Sequence, residues 1–538
     1  MSIFLAMLAV AVAGASNHGG TGKAMQTQQH MIFETAIESS RDYDNPFLDV
    51  SIIVTFTSPS GESSKVEAFW DGERTWRVRF SPDEVGQWQW RTESSDPANI
   101  GLHRQSGQFQ CVPYTGDNPI YRHGPVRISE NGRYFTRADG NPFLWLADTA
   151  WSGIVHTKQE DWERYLAVRK ENGFNAIQVA AGDWRGTNPE PTIGAYTMND
   201  GMHINVNHFR EADKRFEAIS RHGYVTISVL LWGGGRNHPI DNVPEEYTTR
   251  LAHYIQARYG AYNVIWLLAG DGNYRGERSE IWKRIGNSLF GEGKRNLVTM
   301  HPGNLGWVLN EFTNESWFDF VGYQSGHGDA GNHLEWLVKG PPATDWRRDP
   351  PRPFVNLEPN YEAHRSYHKR IRHTPHNIRR SFFWSLLVSP VAGYTYGHTA
   401  IWPWKQEANP DDPEDLTWEQ ALNSEGAVSI RYAKAFLGVI PWWKLVPDQS
   451  MIVEQPGEED PEKFVVAARS EDGDLAVFYM PMGDALKLNT GFLKRPSVAR
   501  WFNPRTGDWQ IAGEVNEETH TFTAPDENDW VLRITVDG

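Results

Sequence analysis

The sequence predicts an α/β protein: a (β/α)8 TIM barrel flanked by an N-terminal Ig-like β-sandwich and a C-terminal small β-sandwich. Three observations lead to this prediction. Apolar strands alternate with helical stretches from about residue 128 to residue 441. The segments on either side carry only short alternating strands with turn signals. Polar side chains follow the ends of the apolar strands, where such barrels place their sites.

At 538 residues the chain exceeds the usual size of one hydrophobic core, so several domains are expected. We expect four segments: a signal peptide or disordered leader at 1–27, the N-terminal β-sandwich at 28–112, the barrel at 113–441 and the C-terminal β-sandwich at 442–538.

The leader is apolar over residues 3–15, which is too short to span a bilayer. Ala13-Gly14-Ala15 fits a small-x-small cleavage site, although the positive segment that usually precedes it is missing. These features favour a secreted or periplasmic protein, and a cytoplasmic one if the leader is only disordered.

Composition excludes several classes of partner. The net charge of −16 argues against binding to nucleic acid or to an anionic membrane. The single cysteine, Cys111, rules out an intrachain disulfide and a metal site built from thiolates. The 24 tryptophans provide flat apolar faces of the kind that bind sugar rings, although many are expected to be core residues. The oligomeric state stays open.

The flanking segments alternate apolar and polar residues in short runs. N-terminal strands are predicted in DVSIIVTFTSPSG, SKVEAFWDGERTWRVRFSP, QWQWRTESS and SGQFQCVPY. C-terminal strands are predicted in KFVVAARS, LAVFYMP, SVARWFNP and WVLRITV.

The barrel segment contains eight apolar stretches that read as strands buried on both faces. In order, they are PFLWLADTA, FNAIQVAAGDW, YVTISVLLWGGG, NVIWLLAGDGN, RNLVTMHP, FDFVGYQSGHG, RPFVNLEP and VAGYTYGH. Helical stretches lie between most of them, as in HFREADKRFEAISRHG, where Phe209, Ala212, Phe216 and Ile219 fall on one face.

The carboxyl ends of these strands are followed by aromatic, amide, carboxylate and imidazole side chains, which together suit a polyol. The expected substrate-binding residues are Asp148, Trp151, Gln178, Asp183, Trp184, Trp232, Asn273, His301, Tyr323, Gln324, His327, Tyr361, Tyr396, His398 and Trp402. No phosphate-binding glycine loop or cofactor fingerprint is present, so no cofactor is expected. His238, His301, His327 and His398 lack HxH or HExxH spacing, so no metal is expected either.

Asp271 and Glu358 stand out because each directly follows an unbroken apolar strand. Hydrolysis of a glycosidic bond needs two carboxyl groups, one to protonate the leaving oxygen and one to attack or stabilise the anomeric centre. A separation of about 5–5.5 Å retains the configuration and one of about 6.5–9.5 Å inverts it. The structural alternatives are that Asp271 caps the following segment and that Glu358 pairs with Arg379 or Arg380.

Three stretches, RYFTRADGNPFLWLADTAW, NVIWLLAGD and FVNLEPNYE, resemble the apiosidase-like glycoside hydrolases. The flanking segments resemble the β-sandwich that often precedes such barrels and the small domain, named for collagen binding, that often follows them. The resemblance implies a retaining exo-type hydrolase with Asp271 as acid/base and Glu358 as nucleophile, acting on apiose or another furanoside or deoxy sugar of a plant or algal polysaccharide. The family pattern favours Gly-Gly-Asp where this chain has Ala269-Gly270-Asp271, a small change.

Other function classes are weighed against this one. A non-catalytic carbohydrate-binding barrel would not need two facing acids. A polysaccharide lyase would need a base beside an arginine that neutralises a uronate, whereas this rim is aromatic and acidic. An esterase would need a Gly-x-Ser-x-Gly elbow, which the sequence lacks.

Overall fold

The computed structural model describes residues 25–182, 194–198, 200–233 and 243–536. The chain divides into two compact units, one up to Pro113 and one from Tyr114 onward. The predicted leader, apart from its last three residues, lies outside the described residues, as do Asp183, Trp184 and His238.

The first unit consists of one five-stranded and one three-stranded sheet. Its strands are Gln26–Gln28, Phe33–Glu38, Ile52–Thr57, Ser63–Glu67, Phe69–Trp70, Thr75–Phe80, Gly86–Ser94 and Ser106–Val112, with a short helix at Pro46–Asp49. Alternate residues such as Val54, Phe56, Trp88 and Phe109 pack into the core between the sheets. The fold begins slightly earlier than the expected residue 28, because Gln26–Gln28 pairs in parallel with the strand ending at Val112.

The second unit contains an eight-stranded parallel sheet that curves into a barrel. In chain order its strands β1 to β8 are Trp145–Thr149, Ala176–Ala180, Val225–Trp232, Val264–Gly270, Val298–Thr299, Val321–Tyr323, Phe354–Asn356 and Gly393–Tyr396. Each falls within one of the eight predicted stretches, so the predicted fold class is confirmed.

Ladder pairing runs from β5 through β4, β3, β2, β1, β8 and β7 to β6. The remaining seam, between β5 and β6, is joined in another way. The Thr299 hydroxyl donates to the Phe320 carbonyl at 2.5 Å and accepts from the Gly322 amide at 3.1 Å. The Asp319 amide donates to the Val298 carbonyl at 3.0 Å. The barrel is therefore closed by a hydroxyl inserted between two short strands.

Helices surround the barrel. The longer ones are Gln159–Glu171, Val206–Arg221, Glu245–Tyr259, Glu277–Phe290, Gly331–Lys339, Pro375–Leu387 and Glu425–Gly438. Short helical segments lie at Pro119–Arg122, Gly153–His156, Leu309–Phe312, Pro341–Thr344, Asp345–Arg347, Gln420–Asn423, Trp442–Lys444, Gln449–Met451 and Pro461–Lys463. A two-stranded hairpin pairs Tyr196–Met198 with Met202–Ile204.

A small antiparallel sheet precedes β1 and was not predicted as a separate element. Its strands are Val126–Ile128, Phe135–Arg137 and Pro142–Phe143. Phe135 packs edge-on against Phe320 at 5.2 Å between ring centroids and lies 5.8 Å from Trp145 at the start of β1. This sheet therefore covers the amino-terminal end of the barrel, and the carboxyl-terminal end is the one that carries the candidate site.

The C-terminal region forms a six-stranded and a two-stranded sheet. Their strands are Leu445–Pro447, Val466–Ser470, Leu475–Met480, Ala485–Asn489, Ser497–Phe502, Trp509–Val515, Thr519–Thr523 and Trp530–Val536. This region packs on the barrel helix Pro375–Leu387. Arg379 makes a buried bidentate ion pair with Asp529, with hydrogen bonds of 2.8 and 2.9 Å. Phe383 stacks on Tyr479 with 4.7 Å between ring centroids.

No helix in the described ranges is both long enough and apolar enough to cross a membrane.

Candidate active site

Glu358 lies two residues beyond the end of β7, at the carboxyl-terminal mouth of the barrel. Its side chain is 12% exposed. The peptide that carries it is held on both sides: the Leu357 carbonyl accepts from Nε2 of Gln178 at 2.9 Å, and the Glu358 carbonyl accepts from the Gly326 amide at 2.9 Å. The carboxylate is thus fixed in position and still partly open to solvent.

Two histidines flank the Glu358 carboxylate, one at each oxygen. Nε2 of His327 lies 3.2 Å from Oε1, and Nε2 of His301 lies 3.5 Å from Oε2. Nδ1 of His327 accepts from the Tyr361 amide at 3.3 Å, and Nδ1 of His301 accepts from the Asp271 amide at 3.4 Å. Because each Nδ1 is an acceptor, each Nε2 carries the hydrogen. Nε2 of His327 is the closer of the two to the carboxylate, whereas Nε2 of His301 forms no hydrogen bond among the described residues.

Burial keeps the His327 imidazole in its neutral form. His327 is 4% exposed and His301 is fully buried. Burial lowers the pKa of His327 to about 4, even though the negative charge of Asp271 acts in the opposite direction. Glu358 therefore has an uncharged N–H group beside Oε1, so its charge is stabilised there but not neutralised.

Asp271 directly follows β4 and occupies the left-handed region with φ +35°. Asp tolerates this conformation better than most residues. The next residue, Gly272, bridges to Pro302, and its carbonyl accepts from the Gly303 amide at 2.9 Å. The loop after β4 is therefore joined to the loop after β5, which carries His301.

The structure does not agree with the alternative structural roles, a helix cap for Asp271 and an ion pair with Arg379 or Arg380 for Glu358. The helix after β4 begins at Glu277 with Gly276 as its N-cap, so Asp271 does not cap it. Arg379 pairs with Asp529, and Arg380 lies 3.5 Å from Glu462. Neither arginine pairs with Glu358.

An aromatic wall lies beside His301. Trp151 packs edge-on against Trp232 at 5.2 Å and against the His301 ring at 5.3 Å. Tyr361 lies on the other side, with its ring 4.6 Å from His327. Burial, and then the charge of Glu358, raise the pKa of Tyr361 well above its usual value. Its hydroxyl has no hydrogen-bond partner among the described residues.

Three residues expected at the mouth instead point towards the helices, because successive residues of a strand alternate between the barrel interior and the helix layer. Asp148 is fully buried and accepts from Arg169 at 2.5 Å and from Tyr165 at 2.7 Å. The hydroxyl of Tyr396 donates to Glu362 at 2.5 Å. Tyr323 lies among aromatic rings that include Trp336, 6.0 Å away. These side chains are placed for packing, and the expectation that they line the mouth is corrected.

The remaining expected residues occupy varied positions. Gln178 is fully buried and also donates to the Thr149 hydroxyl at 3.2 Å, so it braces the interior. Nδ1 of His398 accepts from the Ala400 amide at 3.0 Å, and burial lowers the pKa of His398 to about 3. Gln324 is 2% exposed, Asn273 is exposed, and Trp402 is partly buried against the barrel core.

Two residues that contact His327 were not among those expected from the sequence. His364 packs on His327 with 4.2 Å between ring centroids, and Tyr367 lies 5.5 Å from the same ring. The signal was present as a histidine-rich stretch from His364 to His376, directly after the predicted seventh strand.

Among the residues that the structure describes, no three His, Cys, Asp or Glu side chains come together in an arrangement that could hold a metal ion.

Comparison with known families identifies the barrel. The family model described as the apiosidase-like catalytic domain matches residues 129–444, more than half of the chain. The chain belongs to the apiosidase-like family. It is accordingly a glycoside hydrolase, and the predicted resemblance is confirmed.

Two further models match the flanks of this apiosidase-like protein. A domain of unknown function matches residues 26–95, and a model described as "Putative collagen-binding domain of a collagenase" matches residues 446–535. No curated protein matches the chain.

Solved structures share the fold. One described as a glycoside hydrolase is 23% identical with a TM-score of 0.67, and the match covers 79% of this chain and 99% of the other. A family 5 glycoside hydrolase from Bacteroides vulgatus is 24% identical with a TM-score of 0.67, over 79% and 95%. A "putative glycoside hydrolase" from the same organism is 19% identical with a TM-score of 0.70, over 95% and 99%. At these identities the likeness is one of fold.

Proposed function

We propose that this apiosidase-like protein removes a terminal sugar, apiose or another furanoside or deoxy sugar, from a plant or algal polysaccharide with retention of configuration. Glu358 is the nucleophile and Asp271 the acid/base. The observation that carries the proposal is the setting of Glu358, a partly open carboxylate with the neutral imidazole of His327 3.2 Å from one oxygen and the buried His301 ring 3.5 Å from the other.

The contacts of Glu358 suit a nucleophile. An attacking carboxylate must be ionised, and a donor to one of its oxygens favours the ionised form. Because His327 is neutral and lies 3.2 Å from Oε1, it orients the carboxylate without removing its charge. One Glu358 oxygen attacks the anomeric carbon as the bond to the leaving oxygen breaks, and the electron pair of that bond passes to the leaving oxygen.

The position of Asp271 at the end of β4 supports its role in proton transfer. The His301 ring contacts the Asp271 backbone through Nδ1 and faces the Glu358 carboxylate through Nε2, so one imidazole separates the two residues. In the first step Asp271 gives its proton to the leaving oxygen. In the second it takes a proton from water, the water oxygen bonds to the anomeric carbon, and Glu358 departs with its electron pair.

The aromatic wall supports a sugar ligand. Trp151 and Trp232 lie beside His301 with their rings approximately perpendicular, at 78°. Tyr361 adds a buried hydroxyl without a protein partner in the described part of the chain. Trp151 and Trp232 are almost fully buried, so they supply an apolar surround for the mouth and not an open stacking face. A buried polar atom such as the Tyr361 hydroxyl is usually satisfied by something bound.

We also infer that the protein is exported, with the apolar segment 3–15 as its signal, because polysaccharides of this kind lie outside the cell. Detection of a mature amino terminus near residue 16 in the medium or periplasm supports this, and an intact leader on cytoplasmic protein contradicts it.

The test is to incubate the protein with a panel of aryl glycosides and extracted pectic and algal polysaccharides, and to repeat it with Glu358→Gln and Asp271→Asn. Glu277→Gln, an exposed acid at the start of the helix after β4, is the matched control. Loss of sugar release in both site variants but not in the control supports the pair. Full activity in either site variant would show that the replaced residue does not have its proposed catalytic role. A product that absorbs as an unsaturated uronate indicates a lyase, and binding without release indicates a carbohydrate-binding protein.

A further inference from the structure

A hairpin stands beside Glu358 at the mouth of the barrel. It runs from Ala363 to His373, between β7 and the helix Pro375–Leu387. The Ala363 amide donates to the His373 carbonyl at 3.0 Å and the His373 amide to the His364 carbonyl at 2.9 Å. Nearer the tip, the Ser366 amide donates to the Ile371 carbonyl at 2.7 Å.

Ion pairs anchor this hairpin from two directions. Arg365 and Arg372 both contact Asp412, at 3.0 and 2.5 Å, in the loop after β8. On the other side, Lys369 lies 2.9 Å from Glu462 of the C-terminal region. At the tip, Asp329 accepts from the His368 amide at 3.2 Å. A segment held at both sides and at its tip is preorganised, so little conformational entropy would be lost when a ligand binds to it.

A row of rings leads along this hairpin from Glu358 to the surface. It begins at His327, 3.2 Å from the Glu358 carboxylate. His364 lies 4.2 Å from His327, and Tyr367 lies 5.5 Å from His327 and 6.2 Å from His364. Tyr367 is 40% exposed. The row therefore joins the carboxylate to an exposed aromatic side chain without a break.

Two large apolar side chains are exposed at the tip of the hairpin. They are Tyr367 and Ile371, and Ile371 is 60% exposed. The Tyr367 amide donates to the His327 carbonyl at 3.1 Å, which fixes the base of the tyrosine against the loop that contacts Glu358. Tyr367 and Ile371 are thus exposed together on an anchored tip, where an apolar side chain can meet a ligand.

We propose that Tyr367, supported by His364, forms a binding position for the sugar residue next to the one that Glu358 attacks. This rests on the proposed function. The occupant is a second ring of the same substrate chain, because the row of rings is continuous with the contacts of Glu358. The Tyr367 ring packs against its C–H face, and the rigid hairpin holds that ring at a fixed distance from the carboxylate.

The test compares Tyr367→Ala with wild type on two substrates that the panel has shown to be cleaved: an aryl glycoside and an oligosaccharide of three or more residues. Trp443→Ala, with a side chain of 39% exposure in the short segment Trp442–Lys444, is the matched control. We expect kcat/KM for the oligosaccharide to fall about 10-fold, mostly through KM, with less than about 2-fold change on the aryl glycoside. Tyr367→Phe should retain wild-type values because it keeps the ring.

Equal losses on both substrates, or no loss on either, overturn the proposal. If Tyr367→Ala does not fold, Tyr367→Leu replaces it, since leucine keeps the apolar volume without the flat ring. Failure of the hydrolase function itself is recognised separately, because wild type then releases no sugar. In that case affinity electrophoresis in gels containing the same polysaccharides decides: slower migration of Glu358→Gln than of Glu358→Gln/Tyr367→Ala supports the position, and equal migration overturns it.

Discussion

Nε2 of His327 lies 3.2 Å from Oε1 of Glu358, and the histidine is buried in its neutral form. The mirror contact, from His301 to Oε2, is slightly longer at 3.5 Å. Carboxylates at active sites are often held by cationic partners, which lower their nucleophilicity along with their pKa. Here the closer partner, His327, is uncharged, and the first prediction below follows from that arrangement.

Replacing His327 by Gln should lower kcat while KM changes little. The variant loses a fixed N–H donor to Oε1, and a hydrogen bond to a charged group is worth about 1.5–3 kcal/mol, which corresponds to about 10–100-fold in rate. Steady-state kinetics on any cleaved substrate measures the effect. His376→Gln is the control, because that half-buried histidine bonds to the Pro481 carbonyl instead. A loss equal in both variants would assign His327 to stability only.

Acid should destabilise the folded chain between about pH 6.5 and pH 4. Burial lowers the pKa values of His327, His364 and His373 to about 4, from 6.5 for the free side chain. The unfolded chain therefore binds more protons than the folded chain within that window, so the free energy of unfolding falls as the pH falls, and these groups add no slope above it. One independent histidine of this kind contributes about 3 kcal/mol.

Urea denaturation at pH 7.5, 6, 5 and 4.5 measures this dependence. His398→Asn, which keeps an acceptor for the Ala400 amide but cannot titrate, should flatten part of the slope. A free energy of unfolding that is constant from pH 7.5 to pH 4.5 would contradict the burial argument.

Asp148→Asn should destabilise the barrel without changing KM. Asp148 and Arg169 are both fully buried and 2.5 Å apart. Removing one charge leaves the other unpaired in the interior, at a cost of about 3–5 kcal/mol. Glu245→Gln, which breaks an exposed and solvent-screened pair with Arg284, should change the stability far less. If Asp148→Asn raised KM while the free energy of unfolding stayed unchanged, Asp148 would have a role in substrate binding.

Much of the fold was predictable because the barrel strands are apolar on both faces and end in polar residues. That pattern located all eight strands and placed Asp271 directly after β4 and Glu358 two residues after β7. The family and the enzyme class are confirmed by the match over residues 129–444. The roles assigned to the site residues stay predictions.

What sequence could not supply was side-chain direction and long-range pairing. Asp148 and Thr149 are neighbours in β1, yet one points towards Arg169 in the helix layer and the other towards Gln178 inside the barrel. The position of a residue at a strand end does not show whether its side chain points into the barrel or towards the helices. The hairpin around Tyr367 was equally hidden, because its anchors Asp412 and Glu462 lie far away in the sequence.

The measurement that tests the central claim most directly is mass spectrometry of the enzyme during turnover of a cleaved aryl glycoside. The reaction is stopped with acid within its first turnovers, and the protein is digested with pepsin. We predict a peptide containing Glu358 that is heavier by the mass of one dehydrated sugar, absent from Glu358→Gln. A Glu358 peptide of unmodified mass throughout turnover, with a released sugar of inverted configuration, would contradict the account.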